Sequence, residues 1–333
     1  MKTPLKFSIV IANYNYGRFV ARAIDSALEL AWPDIEVIVV DDGSTDHSKD
    51  VINAYEGRIK SIFQPNSGQL AANNAGFAAT DGDVIVFLDA DDILLPDMAR
   101  EVAAVWGPAV SKVQVQVQRV DEHENNLKSI LPRLDGVPSP AQIRQWAASF
   151  NEYPSPPGSG NAYARSFLER VFPMDSSRDS STDTTCIAMA PFMGDVVTIA
   201  RPLVLYRMHN SNDSNMLTND NNFGREVERA VKRLGAAQDA SRMMGLTPPG
   251  RRSLFRGTHL LQLRAVSLRL RPTDHPLSDD SRMAAMKDAI LMPFRSGFEP
   301  LYRRLIMAAY AGLILTMPLT IARALIRKRF VRA

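Results

Sequence analysis

In the first 120 residues the apolar positions fall into short unbroken runs, FSIVI (7–11), IEVIVV (35–40), IKSIF (59–63) and VIVFL (84–88). Runs of this length, bounded by turn residues, predict buried strands, and the stretches between them carry helical spacing. Val20, Ile24, Ala27 and Leu28 share one helical face. Val51, Ile52 and Tyr55 predict a second helix capped by Ser44 or Thr45, and LAANNAGFAA (70–79) predicts a third, built of small residues. Alternation of strand and helix predicts an α/β fold with a mostly parallel central sheet and flanking helices. Ligands of such sheets bind beyond the carboxyl ends of the strands. Those ends read ANYN, DDGSTD, QPNSGQ and DADD, so the polar chemistry gathers on one edge.

Further along, Val113, Val115 and Val117 alternate with Gln114, Gln116 and Gln118, the pattern of a strand with one wet face. Residues 121–161, rich in Pro, Ser and Asn, predict loops with one helix near 139–149. DVVTIARPLVLYRMHNSN predicts two short strands that leave Arg207 and His209 in a loop, and beyond Asn222 the pattern is helical.

The charge balance divides the chain. Of 39 Lys/Arg and 36 Asp/Glu, 16 and 5 lie in residues 251–333, which leaves 23 against 31 in residues 1–250. A basic tail on an acidic body predicts contact with an anionic surface. Within the tail, residues 305–322 carry no charge and lie between Arg303, Arg304 and a cluster of Arg323, Arg327, Lys328 and Arg329. A spanning helix needs about 20 apolar residues, and Pro318 interrupts this one. Three readings stay open: an interfacial or re-entrant anchor, which cations at both ends favour, a span, or a helix buried against other protein. The tail lacks the interleaved aromatics of a nucleic-acid binder. One cysteine, Cys186, excludes an internal disulfide framework, and the opening apolar run, interrupted by Asn13 and Asn15, is too short for a secretory signal. Both predict a cytoplasmic protein, peripheral to or anchored at a membrane face.

The strand-end acids carry the chemistry. Two carboxylates about 4 Å apart repel by about 1 kcal/mol even in water, so Asp41 and Asp42 beside Asp89, Asp91 and Asp92 suit a hard divalent cation that shares its shell with phosphate. No GxxxxGK[ST] or GxGxxG loop exists to cradle phosphates by backbone.

The blocks SIVIANYN, VIVVDDGSTD, NSGQLAANNAGFAATDGD and VFLDADD, in this order and spacing, resemble family 2 of the glycosyltransferases over residues 5–120. SGNAYARSFLERVFP, STDTT and LVLYRMHNSN resemble the family's acceptor half more loosely. The resemblance implies the GT-A fold over residues 1–220 (nucleotide-sugar and metal half 1–120, acceptor half 121–220); the residue pattern adds a helical extension over 221–297 and a membrane-associating segment over 298–333. It implies inverting transfer of a sugar from a nucleotide diphosphate, a UDP-sugar favoured, to a hydroxyl of a glycan or lipid-linked acceptor in cell-surface polysaccharide synthesis. Asp41 would bond the base, with Ala12 and Tyr14 lining its pocket; Asn73 and Asp89 would face the donor; Asp91 would ligate Mg²⁺ or Mn²⁺. His209 would join the metal or diphosphate, Asp92 and Arg207 would support the site, and Arg207 could instead pair with phosphate. Asp183 would be the base, with Asp179 as the other candidate. Asn73 stands where the family often has arginine, which leaves the base and sugar open. Nucleotidyl transfer, or a non-catalytic nucleotide-sugar or phosphoacceptor-type domain, is the alternative class. His47, His123, His259 and His275 read as surface residues.

Overall fold

The computed structural model describes residues 5–175, 181–209, 219–295 and 299–330. The chain forms two compact units, residues 1–143 with 154–210, and residues 144–153 with 211–333.

The first unit opens with four parallel strands, β1 (Phe7–Asn13), β2 (Ile35–Asp41), β3 (Lys60–Phe63) and β4 (Val84–Asp89), in the order β3-β2-β1-β4. The helices α1 (Val20–Leu28), α2 (Ser48–Asn53) and α3 (Gln69–Ala78) connect them. Ile9, Ile11, Val37, Val39, Val86 and Leu88 are buried in one core, each such side chain worth about 1.5–3 kcal/mol removed from water. Gly76 lets α3 lie flat on the sheet, since a methyl group there would collide with Val10. Three of these strands run past their apolar residues to end on Asn13, Asp41 and Asp89, because the ladder continues through Asn13–Asp41 and Ala12–Asp89 pairs.

The sheet continues β4-β8-β6-β9-β5 through β5 (Ile93–Leu94), β6 (Val110–Val120), β8 (Asn161–Ala164) and β9 (Asp195–Arg207), with β7 (Asn126–Leu131) on β6. Here β6 and β9 are parallel, while β8 is antiparallel to β4 and β6. The helices are α4 (Met98–Ala104), α6 (Arg165–Leu168) and α7 (Thr182–Met193), while α5 (Pro140–Phe150) begins in this unit and from Arg144 onward belongs to the second. The α/β architecture matches the expectation, with local corrections. The second helix begins at Ser48 with no side-chain cap, because Ser44 and Thr45 bond Asn15 instead. The strand β7 appears where loops were expected. The two short strands near the end of this unit are one, β9, with a register shift between Ile199 and Pro202, and Arg207 is its last residue. The supposed wet face of β6 is dry at Gln114, which is fully buried and donates to Pro154 O and Thr198 Oγ1.

In the second unit α8 (Asn221–Met243), α9 (Thr258–Leu270), α10 (Arg282–Leu291), α11 (Leu301–Thr316) and α12 (Leu319–Phe330) share one core. The helix α9 is buried on nearly all sides, as a helix apolar around its circumference must be. Its Arg264 is neutralised by Asp280 (2.6 Å) and Asp288 (2.7 Å). His275, expected at the surface, has a side chain only 2% exposed and joins Ser267 to Asp280. The uncharged stretch 305–322 is broken at Met317–Pro318 into α11 and α12, whose Ala311, Ile314, Leu315, Ala322 and Ile326 enter the core. Among the described residues no helix is long and apolar enough to cross a membrane.

Candidate active site

The parallel ladder sets Asp41 beside Asn13 and Asp89 beside Ala12 at the strand ends. Asp41 is buried and accepts from Asn13 Nδ2 at 2.7 Å and from Ser44 N at 2.9 Å, which fixes both oxygens. Asn13 was not singled out from the sequence. It is 1% exposed, and its Oδ1 is a buried acceptor without a hydrogen-bond partner, so the site keeps one polar atom ready for a donor group beside Asp41. The signal was present in ANYN, since an asparagine closing a buried strand must turn its amide somewhere polar. Tyr14 follows, 43% exposed. Asp42 faces away and holds the next loop, accepting from Gln64 Nε2 (2.7 Å), Ser67 N (2.9 Å) and Gly68 N (2.7 Å). Gly43, at φ +78°, makes the turn after these carboxylates in backbone that side chains rarely adopt.

Beyond β4, Ser159 organises the DADD turn. Its hydroxyl accepts from Asp89 N (3.1 Å) and donates to Asp92 Oδ2 (2.6 Å). Asp92 is 1% exposed, and its other oxygen accepts from Arg207 N at 3.0 Å. Burial, with the charges of Asp91 and Asp89 added, holds the Asp92 carboxyl well above the usual carboxylate range. It therefore shapes the turn, as a supporting residue should. Asp89 sits half-buried at the rim, accepting from Gln69 Nε2 at 3.2 Å. Desolvation first, then Asp91 and Asp183, push its carboxyl up to about 7.

Asp91 Oδ2 and His209 Nε2 lie 2.8 Å apart, both largely enclosed. Phe19 stacks on the His209 ring and Tyr16 meets its edge, so the imidazole is held by packing as well as by the carboxylate. Arg207 is 3% exposed; its guanidinium donates to Asp91 O (2.8 Å) and Glu122 O (2.7 Å). It braces the acid turn, and the alternative role of pairing with phosphate gains no geometric support.

Asp183 lies in the first turn of α7, its Oδ1 accepting from Ser181 Oγ (2.6 Å) and Thr184 N (2.8 Å). A methyl group on Gly158 would stand 3.5 Å from Asp89 Oδ2 and 3.8 Å from Asp183 Cβ. The two acidic side chains thus approach the same glycine. Asn73, expected beside the donor, is buried and donates to Thr182 Oγ1 at 2.9 Å, tying α3 to the start of α7. Asp179 lies outside the described residues. Beneath α7, Lys112 is fully buried, and its ammonium donates to Gln114 Oε1 (3.0 Å), Ser155 Oγ (3.2 Å) and Asn161 Oδ1 (2.9 Å).

A family model described as Glycosyl transferase family 2 matches residues 8–172, a span that holds every strand-end acid above. Residues 8–172 belong to this family. An uncharacterized glycosyltransferase of Nostoc sp. is 39% identical over 219 residues, covering 63% of this chain and 66% of that protein. Hyaluronan synthase of Pasteurella multocida is 41% identical over 99 residues, 29% of this chain and 10% of the synthase. The match therefore spans less than two thirds of either relative. Among solved structures, residues 1–349 of S. aureus TarS in complex with UDP-GlcNAc align with TM-score 0.55 at 13% identity, covering 93% of this chain and 90% of that one. A Pyrobaculum calidifontis mannosyltransferase in complex with GDP-Man and Mn²⁺ aligns with TM-score 0.53 at 18% identity, covering 99% and 89%. At such identities the likeness establishes the fold, which is that of GT-A glycosyltransferases.

Proposed function

We propose that this family 2 member transfers a sugar, with inversion, from a nucleotide diphosphate to a hydroxyl of a glycan or lipid-linked acceptor in polysaccharide synthesis. The observation that carries the reading is that two carboxylic acid side chains, Asp89 and Asp183, both approach Gly158 near the end of β4. Asp41, oriented by Asn13, receives the base, and the exposed Tyr14 ring supplies a face to cover it. The complexes of structural neighbours with UDP-GlcNAc and with GDP-Man support a nucleotide-sugar donor, and we take a UDP-sugar as the donor here.

Among the described residues no three His, Cys, Asp or Glu gather to hold a metal. Asp91 and His209 offer two donors, and a cation of the Mg²⁺ or Mn²⁺ type takes few protein ligands when phosphate oxygens and water complete its shell. The pair fits such a cation, which when bound would neutralise the leaving diphosphate. The acceptor hydroxyl attacks the anomeric carbon as the bond to the diphosphate breaks, and Asp183 takes the hydroxyl proton. The basic C-terminal part supports a place at the cytoplasmic face of a membrane, peripheral to it.

The test compares Asp183→Asn with Asp179→Asn in transfer rate and nucleotide affinity. Loss of a base costs about 10²–10⁴ in rate with donor binding nearly intact. An Asp183→Asn protein within a few-fold of wild type moves the role elsewhere.

A further inference from the structure

The helix α11 is apolar on two opposite faces. One buries Ala311, Ile314 and Leu315 in the core of the second unit. The other turns Tyr302, Leu305, Ile306 and Leu313 to solvent, at exposures of 58%, 50%, 55% and 39%. With Ala309 and Thr316, these residues recur every three or four positions and form a stripe without a single charge. The preceding segment repeats the arrangement: α10 buries Ala285 and Ala289 and leaves Met283 and Ile290 exposed, while Phe294 is 85% exposed. Arg304 donates to Pro293 O at 3.1 Å, which ties the first turns of α11 to the turn bearing Phe294. The Phe294 turn and the first turns of α11 are therefore neighbours.

Large side chains exposed together, rather than singly, mark a surface that meets something apolar. What surrounds them says which surface. From Arg282 to Phe330 the chain carries nine Lys or Arg and only two acids, Asp288 and Glu299. Arg327 and Lys328 lie exposed on α12, the next helix, while Arg323 there pairs with Asp220 at 2.9 Å. Beside the patch, a cavity of about 610 Å³ is lined by Arg251, Arg256, Lys287 and Arg295 with Leu291 at its wall, and carboxylates of Asp279, Asp280 and Asp288 offset part of that charge. A protein partner of ordinary composition has no need of so one-sided a rim. An anionic bilayer does, because acyl chains accept the apolar stripe while headgroup phosphates meet the cations.

We propose that the exposed face of α10 and α11, with the Phe294 turn, is a docking surface for anionic phospholipid, on which α11 lies in the plane of the interface. This rests on the peripheral placement proposed above and names the side chains that produce it. The α11 helix is 16 residues long, and Pro318 ends it well short of a span. Apolar insertion and headgroup attraction act together, so removing either part releases the protein.

The experiment floats the full chain with phosphatidylcholine vesicles, with and without phosphatidylglycerol, for wild type, Tyr302→Ser/Ile306→Ser, Phe294→Ser and Arg327→Glu/Lys328→Glu. All these side chains are exposed except as the proposal has them covered, so circular dichroism and the melting midpoint should stay unchanged. Wild type is expected to float only with phosphatidylglycerol, and each variant to lose at least about tenfold in partitioning. If wild type floats with anionic vesicles and the apolar variants float equally well, this face is wrong while peripheral association stands. If wild type floats with neither vesicle, both ideas fail. If the apolar variants instead turn a dimer into a monomer in sedimentation velocity, the face is an interface between copies, and the lipid assignment is overturned.

Discussion

Replacing Lys112 with methionine should change the pH dependence of stability in a way that the burial of one ammonium dictates. Desolvation pulls the Lys112 amine from its ordinary 10.5 down to about 7, against the opposing influence of Cys186 and Asp183. Between those two values the unfolded chain holds a proton that the folded chain has lost. Stability therefore rises with pH across that window by about 1.4 kcal/mol per unit and levels off below about 7. The full penalty below pH 7 is of order 5 kcal/mol. Methionine removes the penalty but strips Gln114, Ser155 and Asn161 of their common donor, at roughly 1–3 kcal/mol for each acceptor left unsatisfied. These losses are the same at every pH, so they cancel in the comparison that matters. Relative to wild type, Lys112→Met should be more favourable at pH 6 than at pH 9 by about 3 kcal/mol. The assay is urea unfolding at the two pH values, followed by Trp32 and Trp106, which pack on the core of the same unit, in a Trp146→Phe background. Unfolding curves that differ from wild type by the same amount at both pH values would refute the buried-ammonium account.

Asp91→Asn should lower transfer by at least about a hundredfold and weaken metal-dependent nucleotide binding; full activity in EDTA would contradict the cation assignment. Because the Asp89 carboxyl is held up to about 7, it is protonated below that value, so affinity for a nucleotide sugar should fall as pH drops from 8 to 6, by up to about tenfold per unit. A flat profile, measured by calorimetry, would remove Asp89 from the donor site. Asp42→Ala should destabilise the first unit by about 2–4 kcal/mol, because two backbone N–H groups lose a charged acceptor; a melting midpoint unchanged from wild type would show the 64–68 loop to be held by other means.

How much of this was legible follows from distance along the chain. The strand ends were readable because parallel neighbours bring their carboxyl ends together by construction, and Asp41 and Asp89 lie one register step apart for that reason. What pins them was not readable. Ser159 reaches Asp89 across 70 residues and Arg207 reaches Asp91 across 116, and no local pattern encodes such a meeting. Alternation misled at β6, since a period of two assigns Lys112 and Gln114 to one face without saying whether that face is wet. Asn161 and Thr198, brought in by β8 and β9, turned it into a polar interior. His275 failed in the same way, its partners lying on α9 and in the turn before α10. The nearness of Asp183 to Asp89, which α7 brings about, was not readable at all.

The crowding of carboxyl groups at this edge now has a physical account. Asp92 is driven toward its neutral form by burial and serves as a hydrogen-bonded wedge beneath the turn. Asp89 is poised near neutrality, so the empty edge carries less negative charge than its acids would suggest, and the repulsion between them is relieved by protons. A positive charge arriving beside Asp91 reverses that balance, because it favours the ionised form of each neighbour in proportion to its closeness. Under the proposed function the acids would then become better acceptors for donor hydroxyls as the diphosphate needs its charge offset. Donor recognition and charge neutralisation would be coupled through shared carboxylates, a reason for a buried strand to end in three of them.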